Sequence, residues 1–203
     1  MHIVFPLFAG VTALDVVGPY EVLRMLPGAE VTFAATAPGP VTSPGGLALT
    51  ATHAYRDVDS ADVLVVPGGP GARSRTEDPE LTGWLRAVAA RTTWTTSVCT
   101  GSLLLAGAGL LDGLDATTHW SAREQLESYG ARYVADRVVR QGKVVTAAGV
   151  SAGIDMALTL AALLADEETA QVIQLLLEYD PQPPFRSGSP ASAPAAVRAR
   201  AGA

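Results

Sequence analysis

Short apolar segments rich in β-branched residues alternate with helix-forming segments along most of the chain. This alternation favours a mostly parallel sheet with helices on both faces, since parallel strands need helical crossovers that cover them. We therefore predict an α/β fold with three layers. The predicted strands are residues 2–7, 30–35, 62–66, 93–98, 116–119 and 144–147. The predicted helices are residues 14–26, 79–90, 101–110, 121–129, 151–164 and 167–178.

Two predicted hairpins interrupt this alternation, and a tail follows the last helix. One hairpin covers residues 41–50 with a Pro-Gly-Gly turn, and the other covers residues 133–145 with a turn at Gln141-Gly142. From Arg186 the chain is rich in Ser, Pro and Ala, which predicts an extended or disordered tail. We therefore expect a single domain over residues 1–185 and a tail over residues 186–203.

The composition of the 203-residue chain restricts its partners and surroundings. A net charge of −6 argues against a nucleic-acid partner, because phosphate binding requires a basic surface. One cysteine excludes an internal disulfide and, without clustered histidines, argues against a metal site. The amino terminus lacks the basic region and cleavage site of a signal peptide, and no apolar run reaches the roughly 18 residues of a membrane span. We expect a cytoplasmic protein without a membrane partner.

Cys99 lies where a predicted strand changes into a predicted helix, within the sequence Ser-Val-Cys-Thr-Gly-Ser. Such a sharp turn is the geometry of a nucleophile elbow, which points a side chain out of the sheet beside the first free N–H groups of the helix. Those N–H groups and the helix dipole favour negative charge, so we expect a lowered thiol pKa and a reactive thiolate. The alternative is a structural cysteine buried in the core.

Three segments with chemically active residues follow predicted strands, at residues 13–15, 67–71 and 97–100. Ligands of doubly wound α/β sheets bind outside the carboxyl ends of the strands, so topology predicts that these segments meet. Asp15 would then lie beside the Cys99 thiolate, and the adjacent negative charge would keep its carboxyl protonated as a proton donor. The alternative for Asp15 is a helix cap. Glu21 is a second candidate for the same catalytic role.

Further candidate residues surround this point of convergence. The N–H groups of Gly68 and Gly69, with that of Thr100, are predicted to stabilise an anion over the thiolate, whereas the alternative is a tight turn after the strand. The Thr100 hydroxyl either binds a substrate atom or water, or caps the following helix. His119 and Trp120 are predicted to contact substrate, and a purely structural histidine is the alternative.

Several motifs together resemble the ThiJ/PfpI superfamily, whose class I glutamine amidotransferase-like fold places a cysteine at a nucleophile elbow in a flavodoxin-like sandwich. The closer resemblance is to the bacterial isonitrile hydratases, and it extends from Met1 to about Pro194. The Glu-Tyr-x-Pro-x-Pro-Pro-Phe stretch and the following Gly-Ser-Pro resemble the hydratase group more specifically. The motifs that carry the resemblance are Leu14-Asp-Val-Val-Gly-Pro-Tyr-Glu-Val-Leu23, Val66-Pro-Gly-Gly69, Thr96-Ser-Val-Cys-Thr-Gly-Ser-Leu103, Ala106-Gly-Ala-Gly-Leu-Leu111, Ala116-Thr-Thr-His-Trp120, Ala152-Gly-Ile-Asp-Met-Ala-Leu-Thr-Leu160 and Gln174-Leu-Leu-Leu-Glu-Tyr-Asp-Pro-Gln-Pro-Pro-Phe185.

The resemblance implies a homodimer that needs no cofactor and converts an isonitrile, R–N≡C, and water to an N-substituted formamide. In that family an Asp, the elbow Cys and the following Thr carry the reaction, and these correspond to Asp15, Cys99 and Thr100. We expect the cysteine to form a covalent thioimidate with the substrate. An apolar pocket is needed for the R group, and its candidate lining residues are Leu14, Trp120 and Val150.

The chain also departs from the pattern of its relatives, and two other functions are alternatives. Residues 147–149 are Ala-Ala-Gly where the family is richer in Gly, and Thr100 replaces the His of protease-like members, which argues against peptidase activity. A glyoxalase- or deglycase-like activity usually depends on a Glu where this chain has Asp15. A stand-alone sensory domain, as in AraC-type regulators, would need a helix-turn-helix after this domain, where only the tail is expected.

Overall fold

The computed structural model describes residues 1–202, in which strands and helices alternate along the chain. The strands are β1 (His2–Pro6), β2 (Glu30–Ala35), β3 (Gly39–Thr42), β4 (Ala48–Ala51), β5 (His53–Ala54), β6 (Val63–Val66), β7 (Trp94–Val98), β8 (Asp115–Ala116), β9 (Arg132–Tyr133), β10 (Val138–Gln141) and β11 (Val144–Ala147). The α-helices are α1 (Ala13–Leu23), α2 (Pro70–Arg73), α3 (Pro79–Ala89), α4 (Gly101–Gly107), α5 (Arg123–Ser128), α6 (Ala152–Leu164), α7 (Glu167–Leu176) and α8 (Ala195–Ala201). Short 3-10 helices cover Tyr55–Asp57 and Trp120–Ala122.

Seven strands form one sheet in the order β10-β11-β7-β6-β1-β2-β5. Neighbouring strands are parallel throughout, except for β10 and β11, which pair antiparallel at one edge. The helices pack in two groups. Helix α6 contacts α1 and α7, whereas α4 contacts α2, α3 and α5. The predicted three-layer α/β sandwich with a mostly parallel sheet is therefore confirmed.

The central strands are buried along most of their length because helices cover both faces of the sheet. All four residues of β6 are buried, as are four of the five residues of β1 and four of the five residues of β7. The loops that follow these three neighbouring parallel strands begin at the same edge of a rigid core. That edge is where the chemically active segments of the sequence lie.

Both predicted hairpins form, but the second begins later than expected, because Tyr133 lies in β9 and pairs with β8. Strands β3 and β4 pair antiparallel on either side of the Pro-Gly-Gly sequence, and β10 and β11 pair antiparallel around Gly142. Gly142 has a φ of 59°, a left-handed conformation that tight hairpin turns require and that glycine adopts readily.

Several short elements differ from the sequence prediction. The predicted strand at residues 116–119 is reduced to β8, which pairs with β9 in a separate two-stranded sheet. The next N–H group, of Thr117, donates a hydrogen bond to Thr146 Oγ1 (2.9 Å) and does not continue the strand pairing. The short elements β5 and α2 were not predicted, because two and four residues carry too little periodicity.

The tail contains a helix where we expected an extended or disordered chain. Helix α8 has alanine at four of its seven positions, and alanine has the highest helix propensity. The guanidinium of Arg198 donates a hydrogen bond to the carbonyl oxygen of Pro190 (3.1 Å), so the helix holds the preceding turn in place. The Ser, Pro and Ala content of the whole tail predicted an extended chain, so the short alanine-rich helix within it was not predicted. No helix within residues 1–202 is both long and apolar enough to cross a membrane.

Candidate active site

Loops that follow β1, β6 and β7 meet at the carboxyl edge of the sheet. The N–H group of Gly68 donates a hydrogen bond to Asp15 Oδ2 (2.9 Å), and the N–H group of Gly69 donates to Thr100 Oγ1 (2.8 Å). The Thr100 hydroxyl donates in turn to the carbonyl oxygen of Gly69 (3.0 Å). The predicted convergence of the three segments is therefore confirmed.

Glycine is required where these loops touch. A Cβ atom on Gly68 would lie 2.5 Å from the backbone nitrogen of Thr100. A Cβ atom on Gly69, whose φ is 132°, would lie 2.3 Å from the carbonyl oxygen of Gly10. Backbone without a side chain thus allows the loop after β6 to lie directly between Asp15 and Thr100.

Cys99 occupies the sharp turn between β7 and α4, with a φ of 56°. Its N–H group donates to the carbonyl oxygen of Ala148 (2.9 Å), and its own carbonyl oxygen accepts from the hydroxyls of Ser102 and Thr118 (both 3.1 Å). These contacts stabilise a backbone conformation that is unfavourable for a residue other than glycine. Cys99 is only 5% exposed, which places its side chain inside the protein at the edge of the core.

The Cys99 sulfur is surrounded by four polar groups. They are the Asp15 carboxyl, the N–H groups of Val150 and Thr100, and the Thr100 hydroxyl. Val150 has a φ of 32°, which is rare for a β-branched residue and lets its N–H group face the sulfur. Sequence reasoning considered Val150 only as a pocket wall. No sequence signal indicates the backbone role, because valine normally argues against this conformation.

Burial raises the pKa of Asp15 to about 7, and the hydrogen bonds from Gly68 and Cys99 only partly oppose this effect. The other carboxyl oxygen, Oδ1, is buried and makes no hydrogen bond of regular geometry. The expectation that Asp15 holds a proton near neutral pH is confirmed in direction. The main cause is loss of solvation, and not the repulsion from a thiolate that the sequence analysis invoked.

Burial also raises the pKa of Cys99, to about 11, and the negative charge of Asp15 adds to this effect. Hydrogen bonds from Val150 and Thr100 lower it only in part. The expected lowering of the thiol pKa by helix α4 is therefore wrong, because desolvation outweighs the N–H groups beside the sulfur. The resting pair is a neutral thiol beside a carboxyl group that gains and loses its proton near pH 7.

The alternatives for three residues are decided by their contacts. Helix α1 begins after Thr12, so Asp15 lies buried in its first turn and is not the capping residue. The Thr100 side chain makes no capping hydrogen bond to α4. Glu21 forms an ion pair with Arg24 (2.6 Å) away from the thiol and does not join the site.

Gly68 and Gly69 do not form the anion-binding pair that we expected. Their N–H groups already donate to Asp15 and Thr100, so neither points at the sulfur. The N–H donors that do approach the sulfur belong to Thr100 and Val150. The glycines therefore position the carboxyl and the hydroxyl.

A cavity of about 730 Å³ opens beside Cys99 and is lined by His119, Trp120 and Val150, among others. The Nδ1 atom of His119 accepts a hydrogen bond from the N–H group of Ser121, and burial, with the nearby Arg73, lowers the pKa of the ring. His119 is thus a neutral ring that faces the cavity and does not act on the thiol through a direct hydrogen bond. Leu14, expected in the same pocket, is 44% exposed and is not part of this lining.

Within residues 1–202 no three His, Cys, Asp or Glu side chains are arranged to hold a metal ion.

The sequence profile of the DJ-1/PfpI family matches residues 1–163. The chain belongs to the DJ-1/PfpI family. It is 49% identical to the isonitrile hydratase of Pseudomonas putida, over 97% of this chain and 86% of that protein. It is 37% identical to the HTH-type transcriptional regulator CdhR of Pseudomonas aeruginosa, over 61% of this chain and 37% of the regulator.

A solved structure agrees with this assignment to the DJ-1/PfpI family. The crystal structure of a ThiJ/PfpI family protein from Pseudomonas syringae superposes with a TM-score of 0.96 at 41% identity. The match covers 98% of this chain and 84% of that chain, so it includes residues beyond the family profile.

The cluster in this DJ-1/PfpI protein combines a thiol, a carboxyl group that titrates near neutral pH, and a hydroxyl. A carboxyl with this pKa exchanges protons readily in both directions. A thiol beside such a group can add to an electrophile as its proton leaves. The geometry therefore suits addition of sulfur to a small unsaturated substrate with proton transfer by Asp15.

Proposed function

We propose that the protein is an isonitrile hydratase, which converts R–N≡C and water to R–NH–CHO. The observation that carries the proposal is the buried Asp15–Cys99–Thr100 cluster, in a chain that resembles an isonitrile hydratase over 97% of its length. The terminal carbon of an isonitrile accepts a soft nucleophile, and sulfur is softer than a hydroxyl oxygen. The site thus provides the type of nucleophile that the substrate needs.

In the first step the Cys99 sulfur attacks the terminal carbon of the isonitrile. The Asp15 carboxylate accepts the thiol proton and returns it to the same carbon, which forms the thioimidate R–N=CH–S–Cys99. Its raised pKa suits both transfers, because a carboxyl that titrates at about pH 7 is neither too weak a base nor too weak an acid. Atoms and charge balance without a further reactant.

In the second step water adds to the carbon–nitrogen double bond. Asp15 accepts a proton from a water molecule that is oriented with the Thr100 hydroxyl, and the nitrogen gains that proton as oxygen bonds to carbon. The tetrahedral intermediate R–NH–CH(OH)–S–Cys99 then expels the sulfur. The hydroxyl proton passes through Asp15 back to Cys99, so the formamide leaves and the thiol is restored.

Replacement of the nucleophile tests this proposal. Cys99→Ala and Cys99→Ser should abolish the conversion of cyclohexyl isonitrile to N-cyclohexylformamide, measured by NMR, because neither side chain provides a thiol. Ser60→Ala, in an exposed loop, is the control and should keep full activity. Near wild-type turnover by either Cys99 variant would exclude covalent catalysis. Product from methylglyoxal alone, without product from the isonitrile, would favour a glyoxalase instead.

We further propose the setting in which the enzyme works. It acts in the cytoplasm as a homodimer without a cofactor, and residues 1–185 form the catalytic domain. The fold class and the resemblance to isonitrile hydratases support these assignments. The acidic net charge of −6 gives no support for a nucleic-acid partner.

A further inference from the structure

The cavity beside Cys99 is the space available for the R group of a substrate. Thr118, Ala148 and Val150 line it and also contact Cys99. The Thr118 hydroxyl donates to the Cys99 carbonyl oxygen (3.1 Å), the Ala148 carbonyl oxygen accepts from the Cys99 N–H group (2.9 Å), and the Val150 N–H group faces the sulfur. Its volume of about 730 Å³ is in the range of small-molecule sites. A molecule whose reactive carbon reaches the sulfur would therefore extend its remaining atoms into this cavity.

One wall of the cavity comes from the carboxyl-terminal segment. Gly188, Ser189, Pro190 and Ala191 line it, although they are separated from Cys99 by almost ninety residues of sequence. The family profile ends at residue 163, so this wall lies outside the part of the chain that defines the family. The catalytic cluster and the wall thus come from different parts of the sequence.

Helix α8 holds this wall in place. Arg198 donates a hydrogen bond to the carbonyl oxygen of Pro190 (3.1 Å), and the N–H group of Ala193 donates to the carbonyl oxygen of Ser189 (2.9 Å). The same segment lies over Trp120, because the two sides enclose a second, smaller pocket between Trp120 and residues of α8. The wall is therefore a folded turn that α8 holds from its carboxyl-terminal side.

The chemistry of the lining fits an uncharged hydrocarbon group. Trp120, Tyr133, Pro190 and Ala191 contribute apolar surface. Two arginines also reach the cavity, but their charges are compensated from outside it, Arg123 by Glu127 (3.2 Å) and Arg137 by Asp155. A neutral R group therefore leaves no ionic group unpaired.

We propose that residues 188–191 set the upper size of the R group that the active site accepts. This inference rests on the proposed hydratase function. It makes the carboxyl-terminal segment a specificity determinant, while Asp15, Cys99 and Thr100 carry out the reaction. Because the wall is remote from the reacting atoms, its residues act through the space that they leave for the substrate.

The test enlarges one wall residue in steps. Ala191→Val, Ala191→Leu and Ala191→Trp should progressively lower the ratio of kcat/KM for cyclohexyl isonitrile to that for methyl isonitrile, by about tenfold for the largest side chain. Ala199→Trp, at an exposed position of α8 that lines neither pocket, is the matched control and should keep the wild-type ratio. An unchanged ratio across the Ala191 series, or an equal fall for Ala199→Trp, would overturn the proposal. If the tryptophan variant does not fold, the valine and leucine variants still measure the effect of side-chain size.

A second measurement does not depend on hydratase activity. Cys99 is the only cysteine, so its alkylation by N-methylmaleimide and by N-cyclohexylmaleimide can be followed by mass spectrometry of the intact protein. Ala191→Trp should slow the cyclohexyl reagent relative to the methyl reagent, whereas Ala199→Trp should not. If the wild type hydrates no isonitrile but Ala191→Trp still slows the cyclohexyl reagent selectively, the proposed function is wrong and the role of residues 188–191 is supported. If both isonitriles are hydrated and the ratio of the two alkylation rates does not change in Ala191→Trp, the role of residues 188–191 is wrong and the proposed function is supported.

Discussion

Asp15 is a carboxyl group held where burial opposes its charge. Its folded pKa of about 7 lies above the value of 3.8 for a solvated Asp. Between these two values the folded chain keeps a proton that the unfolded chain releases, so stability falls as pH rises through this window and the loss is complete above it. The protein therefore sacrifices stability at neutral pH to keep a proton-exchanging group beside Cys99.

Replacement of this carboxyl by an amide should stabilise the protein while it removes activity. Asp15→Asn keeps an oxygen that can accept the Gly68 hydrogen bond but has no charge to desolvate. Because each pKa unit corresponds to about 1.4 kcal/mol, we expect the variant to exceed wild type by a few kcal/mol in free energy of unfolding at alkaline pH. The difference should grow between about pH 4 and about pH 7, as measured by urea denaturation.

Asp59→Asn is the control for this measurement, since Asp59 is exposed, accepts a hydrogen bond from the Ser60 hydroxyl (3.2 Å) and forms a long ion pair with Arg91 (3.7 Å). Its stability relative to wild type should show no comparable growth over the same pH window. A difference between Asp15→Asn and wild type that does not vary with pH would show that folding does not raise the pKa of Asp15.

The junction of β7 and α4 depends on close contact with the end of β6. A Cβ atom on Gly101, the first residue of α4, would lie 2.1 Å from the carbonyl oxygen of Val66. This contact leaves no room for a side chain, and relief would require α4 to move away from the sheet. Such movement would also displace Cys99, which is held by the same turn.

Two glycine-to-alanine substitutions in helices should therefore have opposite effects. Gly101→Ala should destabilise the protein by roughly 1–3 kcal/mol, because overpacking against backbone cannot be relieved locally. Gly83→Ala in α3 meets no atom within 4 Å and should stabilise it by about 0.5–1 kcal/mol through helix propensity. Thermal denaturation of both variants should show a lower melting temperature for Gly101→Ala and a higher one for Gly83→Ala than for wild type. Equal stability of Gly101→Ala and wild type would show that α4 does not need this contact.

Which elements a sequence predicts depends on how many residues carry the pattern. Strands β1 and β6 and helix α6 were predictable because apolar runs of this length need a buried position, and β7 was predictable from its β-branched residues. The predicted strand at residues 116–119 failed because Thr117 and Thr118 use hydrogen bonds to Thr146 and Cys99, which are distant in sequence. Helix α8 was missed because its alanines lie within a tail rich in Pro and Ser.

Helix α7 carries an exposed apolar face that is suited to self-association of the whole protein. Val172, Leu175 and Leu176 share one face of α7 and are half or more exposed, so burial against a second copy would be favourable. Sedimentation equilibrium should give twice the chain mass of 20.9 kDa at micromolar concentration, with dissociation only on dilution. A mass of one chain at every concentration would exclude the proposed homodimer.

The sequence alone determined the layers of the fold and the residues that meet at one edge of its sheet. Apolar runs specify strands, and parallel topology brings the loops after them together, so Asp15, Gly68 and Cys99 were predictable neighbours. The ionisation of that cluster could be settled only in three dimensions. Loss of solvation depends on atoms from many distant segments, which reversed the expected change in the Cys99 pKa and gave the N–H group of Val150 its contact with the sulfur.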